Sequence, residues 1–343
     1  GNMGRASAGV NPLRGQSNVQ GACDMGALPN VYPGYQKVDV PEVQAKFEQA
    51  WGVELDTAPG LTHLEILRGV TSGPIKAIYL VGENPALSEA DATHAREAME
   101  KVDFLVVQDI FLTETAEYAD VVLPACTFAE KDGTFTNTER RVQRVRKAIE
   151  PIGDSRTDAW FTCAIAQRMG VDGFAFESAE EVMNEIMAVT PSYGGITYDR
   201  IEDVGLQWPC PDTSHPGTRY LHAESFPRPG GRGRFFPLDY RPPAEEADAE
   251  YPLLLTTERS LYHYHTATMT RRVPGLETLR GEELVEIHPR DAVKLAIASG
   301  DRVRVTSRRG EVSARALVTE VSPPGTVSMT FHFHEAPTNV LTN

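Results

Sequence analysis

The chain has 343 residues, a net charge of −15, 41% apolar residues and 24% charged ones. That balance belongs to a folded globular protein rather than a disordered tail, and its length suits two or so domains. The acidity excludes a general binder of nucleic acid or anionic membrane, no apolar run reaches a membrane-spanning length, and four scattered cysteines make neither a disulfide framework nor a Cys-x-x-Cys metal site.

Residues 1–36 are rich in Gly, Asn, Pro and Gln without a sustained period, so they read as a tail or as a binding loop held by a scaffold. Pro41 to Trp51 reads as a helix with Pro in its first turn. A strand-helix-strand alternation follows. Ile75 to Val81 is a buried-type strand that ends in Gly82-Glu83-Asn84-Pro85, and Ser88 is placed to cap a helix from about Glu89 to Lys101. Phe104 to Val107 is a second strand, ending in Gln108-Asp109. Asp120 to Pro124 is a third, ending in Ala125-Cys126-Thr127. This spacing predicts a right-handed βαβ unit in a parallel sheet, whose ligands lie beyond the carboxyl ends of the strands. Short amide and carboxylate side chains there can pair with a nucleobase edge or a ribose.

Lys131-Asp132-Gly133 is a turn signal. Asp158 is placed to cap a helix to Gly170 with Phe161, Ile165 and Met169 on its apolar face, and another helix spans about 179–188. Residues 191–248 read as a long irregular connection. From Tyr251 short strands dominate, at 253–255, 284–287, 302–305, 312–318 and 326–329, broken by one helix at about 289–298. They predict a small β-barrel-like domain. The expected fold class is therefore α/β, a parallel-sheet dinucleotide-binding domain followed by a β-rich barrel. The expected domains are residues 1–200, a linker 201–248 and residues 249–343.

Two histidine pairs, His263/His265 and His332/His334, could each bind zinc or copper from one face of a strand. Their neighbours favour another reading. Arg259 ends a strand, and His263, His265 and Thr266 follow in a polar loop, a cluster that suits an anionic ligand such as a phosphate. Arg14 lies between two turn signals. It is either a solvated surface arginine or the bidentate partner of a carboxylate. The residues alone give a nucleotide-binding α/β region and a β-rich region with a cationic loop, and no reaction.

Three long motifs carry a resemblance. Residues 9–26, from Gly9-Val10-Asn11-Pro12-Leu13-Arg14-Gly15-Gln16 through Cys23-Asp24-Met25-Gly26, resemble a segment of molybdopterin-dependent formate dehydrogenases. Lys131-Asp132-Gly133-Thr134-Phe135-Thr136-Asn137-Thr138-Glu139-Arg140-Arg141-Val142-Gln143 is similar to a signature of the wider molybdopterin oxidoreductases. Residues 263–272, beginning His263-Tyr264-His265-Thr266, resemble the formate dehydrogenase version of a late cofactor loop. The resemblance implies a bis-molybdopterin guanine dinucleotide cofactor holding molybdenum or tungsten, and interconversion of formate and carbon dioxide. It places Arg14 on the formate carboxylate and Gln16 beside a pterin. Asn84, Gln108, Asp109 and Asp158 match dinucleotide contacts, with Gly82, Glu83, Ser88 and Thr127 at the same strand ends. Arg259, His263, His265 and Thr266 match the late loop on phosphates or pterin, and Asn339 a late pterin contact.

The family's metal-ligating Cys or selenocysteine and the cysteines of its 4Fe-4S cluster lie upstream of the Arg14 segment in its members, so no metal ligand is expected among these residues. The chain is expected to be an internal slice of a longer, cytoplasmic enzyme, inactive alone. Its partners would be electron-transfer subunits of iron-sulfur, flavin/NAD or hydrogenase-linked type. The alternatives are another molybdopterin oxidoreductase, such as a nitrate reductase-like one, and a non-redox guanine-nucleotide-binding protein.

Overall fold

A computed structural model describes every residue except Gly1, Gly4, Ala244 and Asn343. The chain divides into two compact units, each built from two stretches of sequence. One unit joins residues 1–64 to 125–238, and the other joins 65–124 to 239–343. The strand-helix-strand segment thus clusters with the C-terminal strands, whereas the sequence groups it with residues 1–200.

The second unit holds the parallel sheet. Ala77–Val81, Phe104–Asp109 and Val121–Pro124 pair in parallel, with Phe104–Asp109 in the middle and Ala77 level with Phe104. Two helices cover one face, His63–Ser72 and Ala92–Lys101. Leu67, Val70, Ala95, Ala98 and Met99 meet Leu105 and Val107 there. Burial of these side chains stabilises the layer by about 25 cal/mol for each Å² removed from water. The other face differs from the expected fully buried strand. Ile78 and Leu80 pack on the core, while Tyr79, Val81 and Phe104 are exposed.

The helix after the first strand also starts later than expected. Pro85–Ser88 forms its own short helix, and the longer one runs Ala92–Lys101. Ser88 does not cap it. The carboxylate of Asp91 accepts from the backbone N–H of His94 at 2.9 Å instead, since it sits three residues before that donor. In the same unit, the C-terminal strands form a five-stranded mixed sheet. Its order from one edge is Arg302–Thr306, Glu311–Val318, Leu284–Ile287, Thr326–Thr330 and Leu254–Glu258. Val285, Ile287, Val312, Ala314, Val327 and Met329 alternate onto its core face. Pro289–Leu295 is the one α-helix between these strands after Ile287, shorter than expected because Ala296 turns left-handed at φ 55°.

The first unit contains the helix Pro41–Trp51, which falls where the sequence puts it. An antiparallel sheet has Gly133–Thr136 beside Arg141–Val145 beside Leu206–Gln207. The turn signal at 131–133 therefore leads straight into a strand. Helix Asp158–Arg168 begins with Asp158 as its first residue, and the hydroxyl of Thr157 is the cap, accepting from Trp160 N–H at 3.2 Å. Its expected apolar face is only partly covered. Phe161 is buried, while Ile165 and Met169 are exposed. Helix Ala179–Val189 packs Met183 and Val189 inward.

Candidate functional site

Two of the three sequence motifs meet in the first unit. Residues 14–18 and Gln20 line a cavity of about 340 Å³ together with residues 135–138 and Gln143. The local folding explains the meeting. Asn18 sits in the left-handed region at φ 61°, ahead of the short helix Val19–Asp24, and its side-chain oxygen accepts from the backbone N–H of Thr136 at 2.8 Å. That bond ties the Arg14 loop to the strand Gly133–Thr136 across 118 residues. Gly21 is required beside it, because a Cβ there would collide with the Asn18 carboxamide. Among the described residues that line the cavity, Arg14 alone carries a charge, and its side chain is exposed. No ion pair or hydrogen bond to its guanidinium occurs among the described residues, so the planar fork is free to take a carboxylate. Gln16 lies on the same cavity and is exposed. The sequence assigns no individual role to Asn18, Gln20, Thr136, Asn137, Thr138 or Gln143. The signal for them is that they lie within the motifs at residues 9–26 and 131–143.

The other two candidates of this unit are tied to the protein itself. Thr127 is the N-cap of the short turn Phe128–Glu130 in a reciprocal capping box, with its own N–H donating to Glu130 at 2.8 Å. Asp158 pairs with Lys131.

In the second unit the candidates split into two kinds. Asn84 is buried and its carboxamide makes three hydrogen bonds to the protein. Its oxygen accepts from Thr115 N–H at 3.1 Å and Thr115 Oγ1 at 2.7 Å, and its amide donates to Glu114 at 2.7 Å. Gln108 is 1% exposed and accepts from Tyr79 Oη. Ser88 donates to Glu83 at 2.7 Å. His263 is buried with both ring nitrogens occupied, Nδ1 with Thr270 Oγ1 at 3.1 Å and Nε2 with the Arg280 carbonyl at 2.5 Å. Thr266 meets the Thr268 hydroxyl at 2.9 Å. Asn339 donates to the carbonyls of Leu87 and Ser88, clamping the short helix behind the first strand end. These residues position the strand ends and the late loop; they do not present free groups.

The remaining candidates do present groups. Gly82 turns the chain at φ 65°, with open space where a Cβ would stand, and Glu83 is exposed beside it. Asp109 closes the middle strand. Its Oδ1 accepts from Ile110 N–H at 2.6 Å and Phe111 N–H at 3.4 Å, and no described residue donates to Oδ2. Burial raises its proton affinity, helped by Glu83 and opposed by those backbone bonds and by Arg272. His265 stands at φ 51°, half-buried. Burial and Arg259 lower its pKa while Glu83 raises it. Arg259 lies 4.0 Å over the Phe331 ring. Glu83, Asp109, His265, Arg259 and Arg272 therefore share one electrostatic neighbourhood. His332 fixes the late loop from behind. Its Nε2 accepts from Ser260 N–H at 2.9 Å and its other nitrogen meets the His265 carbonyl, and burial lowers its pKa to about 4. Neither His263/His265 nor His332/His334 lies on a strand, and no group of three or more His, Cys, Asp or Glu side chains that could hold an ion is found among the described residues.

This donor set fits a dinucleotide. A half-desolvated carboxylate with an open oxygen matches paired N–H donors on a base edge, and neighbouring Arg and His match phosphate.

Residues 1–168 match the family model described as molybdopterin oxidoreductase, and residues 253–343 match the molydopterin dinucleotide binding domain. The F420-dependent formate dehydrogenase subunit alpha of Methanocaldococcus jannaschii is 52% identical, over 100% of this chain and 51% of its own length. Formate dehydrogenase H of Escherichia coli is 40% identical, over 97% of this chain and 47% of its own. The chain thus spans about half the length of these curated relatives. Among solved structures, acetylene hydratase from Pelobacter acetylenicus superposes with a TM-score of 0.62 at 20% identity, over 88% of this chain and 45% of that one, a likeness of fold.

Proposed function

The chain belongs to the molybdopterin oxidoreductase family, and from that premise we propose that it is part of a formate dehydrogenase catalytic subunit. The observation that carries the reading is the cavity in which the formate dehydrogenase-like Arg14 segment meets the family signature, with Arg14 its one charged lining residue. The proposed cofactor is a bis-molybdopterin guanine dinucleotide with molybdenum or tungsten, which supplies the redox chemistry when bound.

The chain's own residues bind and orient. The Arg14 guanidinium offers a planar two-donor fork to the formate carboxylate, which fixes the carboxylate plane and so the direction of its C–H bond. The walls at Asn18, Thr136, Asn137 and Thr138 are amides and hydroxyls and bring no competing charge. In the other unit, Asp109 holds the guanine edge, and Arg259 and His265 hold phosphate. Gln16 and Glu83 are contacts from exposed positions. Asn84, Gln108, Ser88, His263, Thr266 and Asn339 act by holding those loops in place, Thr127 acts by capping its own turn, and Asp158 acts through its pair with Lys131. The electron partners are further subunits of the complete enzyme, and its proposed location is the cytoplasm. Among the described residues no helix is long and apolar enough to cross a membrane.

The test is turnover by the complete protein that carries this segment. Purified without oxygen, it is expected to reduce a viologen dye with formate, in proportion to its molybdenum or tungsten content. Nitrate-dependent oxidation of the reduced dye without formate activity would overturn the reading in favour of a nitrate reductase-like enzyme.

A further inference from the structure

Behind the Arg14 cavity lies a buried acid that the reading above does not use. Asp24 is fully buried and accepts from four side chains that carry no charge: Gln20 Nε2 at 2.7 Å, Tyr35 Oη at 2.9 Å, Tyr193 Oη at 2.5 Å and Trp208 Nε1 at 2.7 Å. The four split evenly, with Gln20 and Tyr35 on Oδ1, and Tyr193 and Trp208 on Oδ2. Burying a carboxylate without a cation in contact is costly, and only such a set of donors makes it tolerable. A core role needs an acid here no more than an apolar side chain. The arrangement has a polar consequence instead.

Gln20 is the one member of the cage that also lines the cavity. Both hydrogens of its amide point backward, to Asp24 and to Tyr35 Oη at 3.0 Å. All four partners donate to the two Asp24 oxygens, so this acceptor sets which end of the Gln20 carboxamide faces it. The carbonyl oxygen is what remains for the cavity. The geometry points to Gln20 as an acceptor in the Arg14 cavity, and to Asp24 as the positioning residue that fixes its polarity. The ligand group received there must carry an N–H or O–H. Formate anion carries neither, so this acceptor takes an N–H-bearing edge of the bound cofactor. The inference rests on the cofactor reading proposed above.

Asp24→Asn separates polarity from shape. Trp208 Nε1 can only donate, so the oxygen of an Asn at 24 must stay on the Trp208 side and its NH2 must face Gln20. Gln20 then turns its oxygen backward and offers N–H to the cavity. In the complete protein the variant is expected to fold and to lose about fivefold in molybdenum or tungsten content, the weight of one hydrogen bond reversed. The double variant Asp24→Asn/Gln20→Glu puts an acceptor back on both sides of position 20, and its metal content is expected to recover. A purely structural Asp24 would show no such rescue. Unchanged metal content in Asp24→Asn, or a double variant no better than the single, overturns the proposal. If Asp24→Asn does not accumulate folded, Gln20→Met tests the same acceptor, and full metal content in that variant overturns it equally. Arg14→Lys run in parallel reports on the parent reading. Formate kinetics untouched by that change defeat the reading itself, whatever the metal content of the position 24 variants.

Discussion

The Arg14 cavity and the strand-end cluster are each made of family motifs, yet they present their residues in opposite ways. In the cavity, an exposed arginine without a described partner stands among neutral amides and hydroxyls. At the strand ends, most polar motif residues are engaged by the protein, and a minority, chiefly Asp109, His265 and Arg259, are open. A buried carboxamide such as Asn84, with three hydrogen bonds to Thr115 and Glu114, has little capacity left for a ligand. A motif residue therefore contributes either by touching the ligand or by holding the residue that does, and the two make different demands on mutation.

The largest expected effect lies on the holding side. Asn84→Leu removes the acceptor of the buried Thr115 hydroxyl and N–H and one donor to Glu114. It should cost about 3 kcal/mol in urea unfolding of the complete protein. Wild-type stability with lost cofactor would move Asn84 to the touching side.

A second effect tests how tightly the late-loop region is knit. Glu283 is buried and accepts from Thr330 Oγ1 at 2.6 Å, Thr330 N–H at 3.0 Å and Leu284 N–H at 3.0 Å. Burial raises its pKa from 4.5 to about 7 against those bonds and Arg280. The folded state then holds the proton more tightly than the unfolded chain. Stability from this group is full below about pH 4.5 and falls as pH rises through about 7, by up to ~3 kcal/mol. His332 runs the other way, losing stability as pH falls from 6.5 toward 4. Glu283→Gln should remove the first slope, so its stability relative to wild type should climb between pH 5 and 8. A difference independent of pH would contradict the buried-acid assignment.

The smallest expected effect falls on the open minority. Asp109→Asn keeps the shape but replaces an acceptor by a donor against the base. It should lower metal-cofactor content by about 1 kcal/mol of affinity, roughly fivefold. Full metal occupancy in that variant would remove Asp109 from the touching side.

Much of this was legible in the sequence. The parallel strands at 77–81, 104–109 and 121–124 follow from short apolar runs at βαβ spacing, and the helix Pro41–Trp51 from the Pro in its first turn. Caps were misplaced because two acceptors compete within a few residues: Asp91 outcompetes Ser88, and Thr157 outcompetes Asp158. The exposed face of Ala77–Val81 was illegible because a short apolar run reads the same whether one face or both are covered. The Arg14 segment and the signature at 131–143 were each legible as motifs. Their meeting was not, since it depends on the Asn18–Thr136 bond between residues 118 apart. Nor does a motif say which members touch a ligand. That depends on partners such as Thr115 and Arg280, which lie outside the motifs.

Arg14 is proposed to hold the formate carboxylate. The most direct measurement is kcat/KM for formate in the complete enzyme carrying Arg14→Lys, compared with wild type at equal metal content. Lysine keeps the charge and loses the planar fork, so a fall of at least about tenfold is expected, roughly 1.4 kcal/mol. Formate kinetics equal to wild type would contradict it.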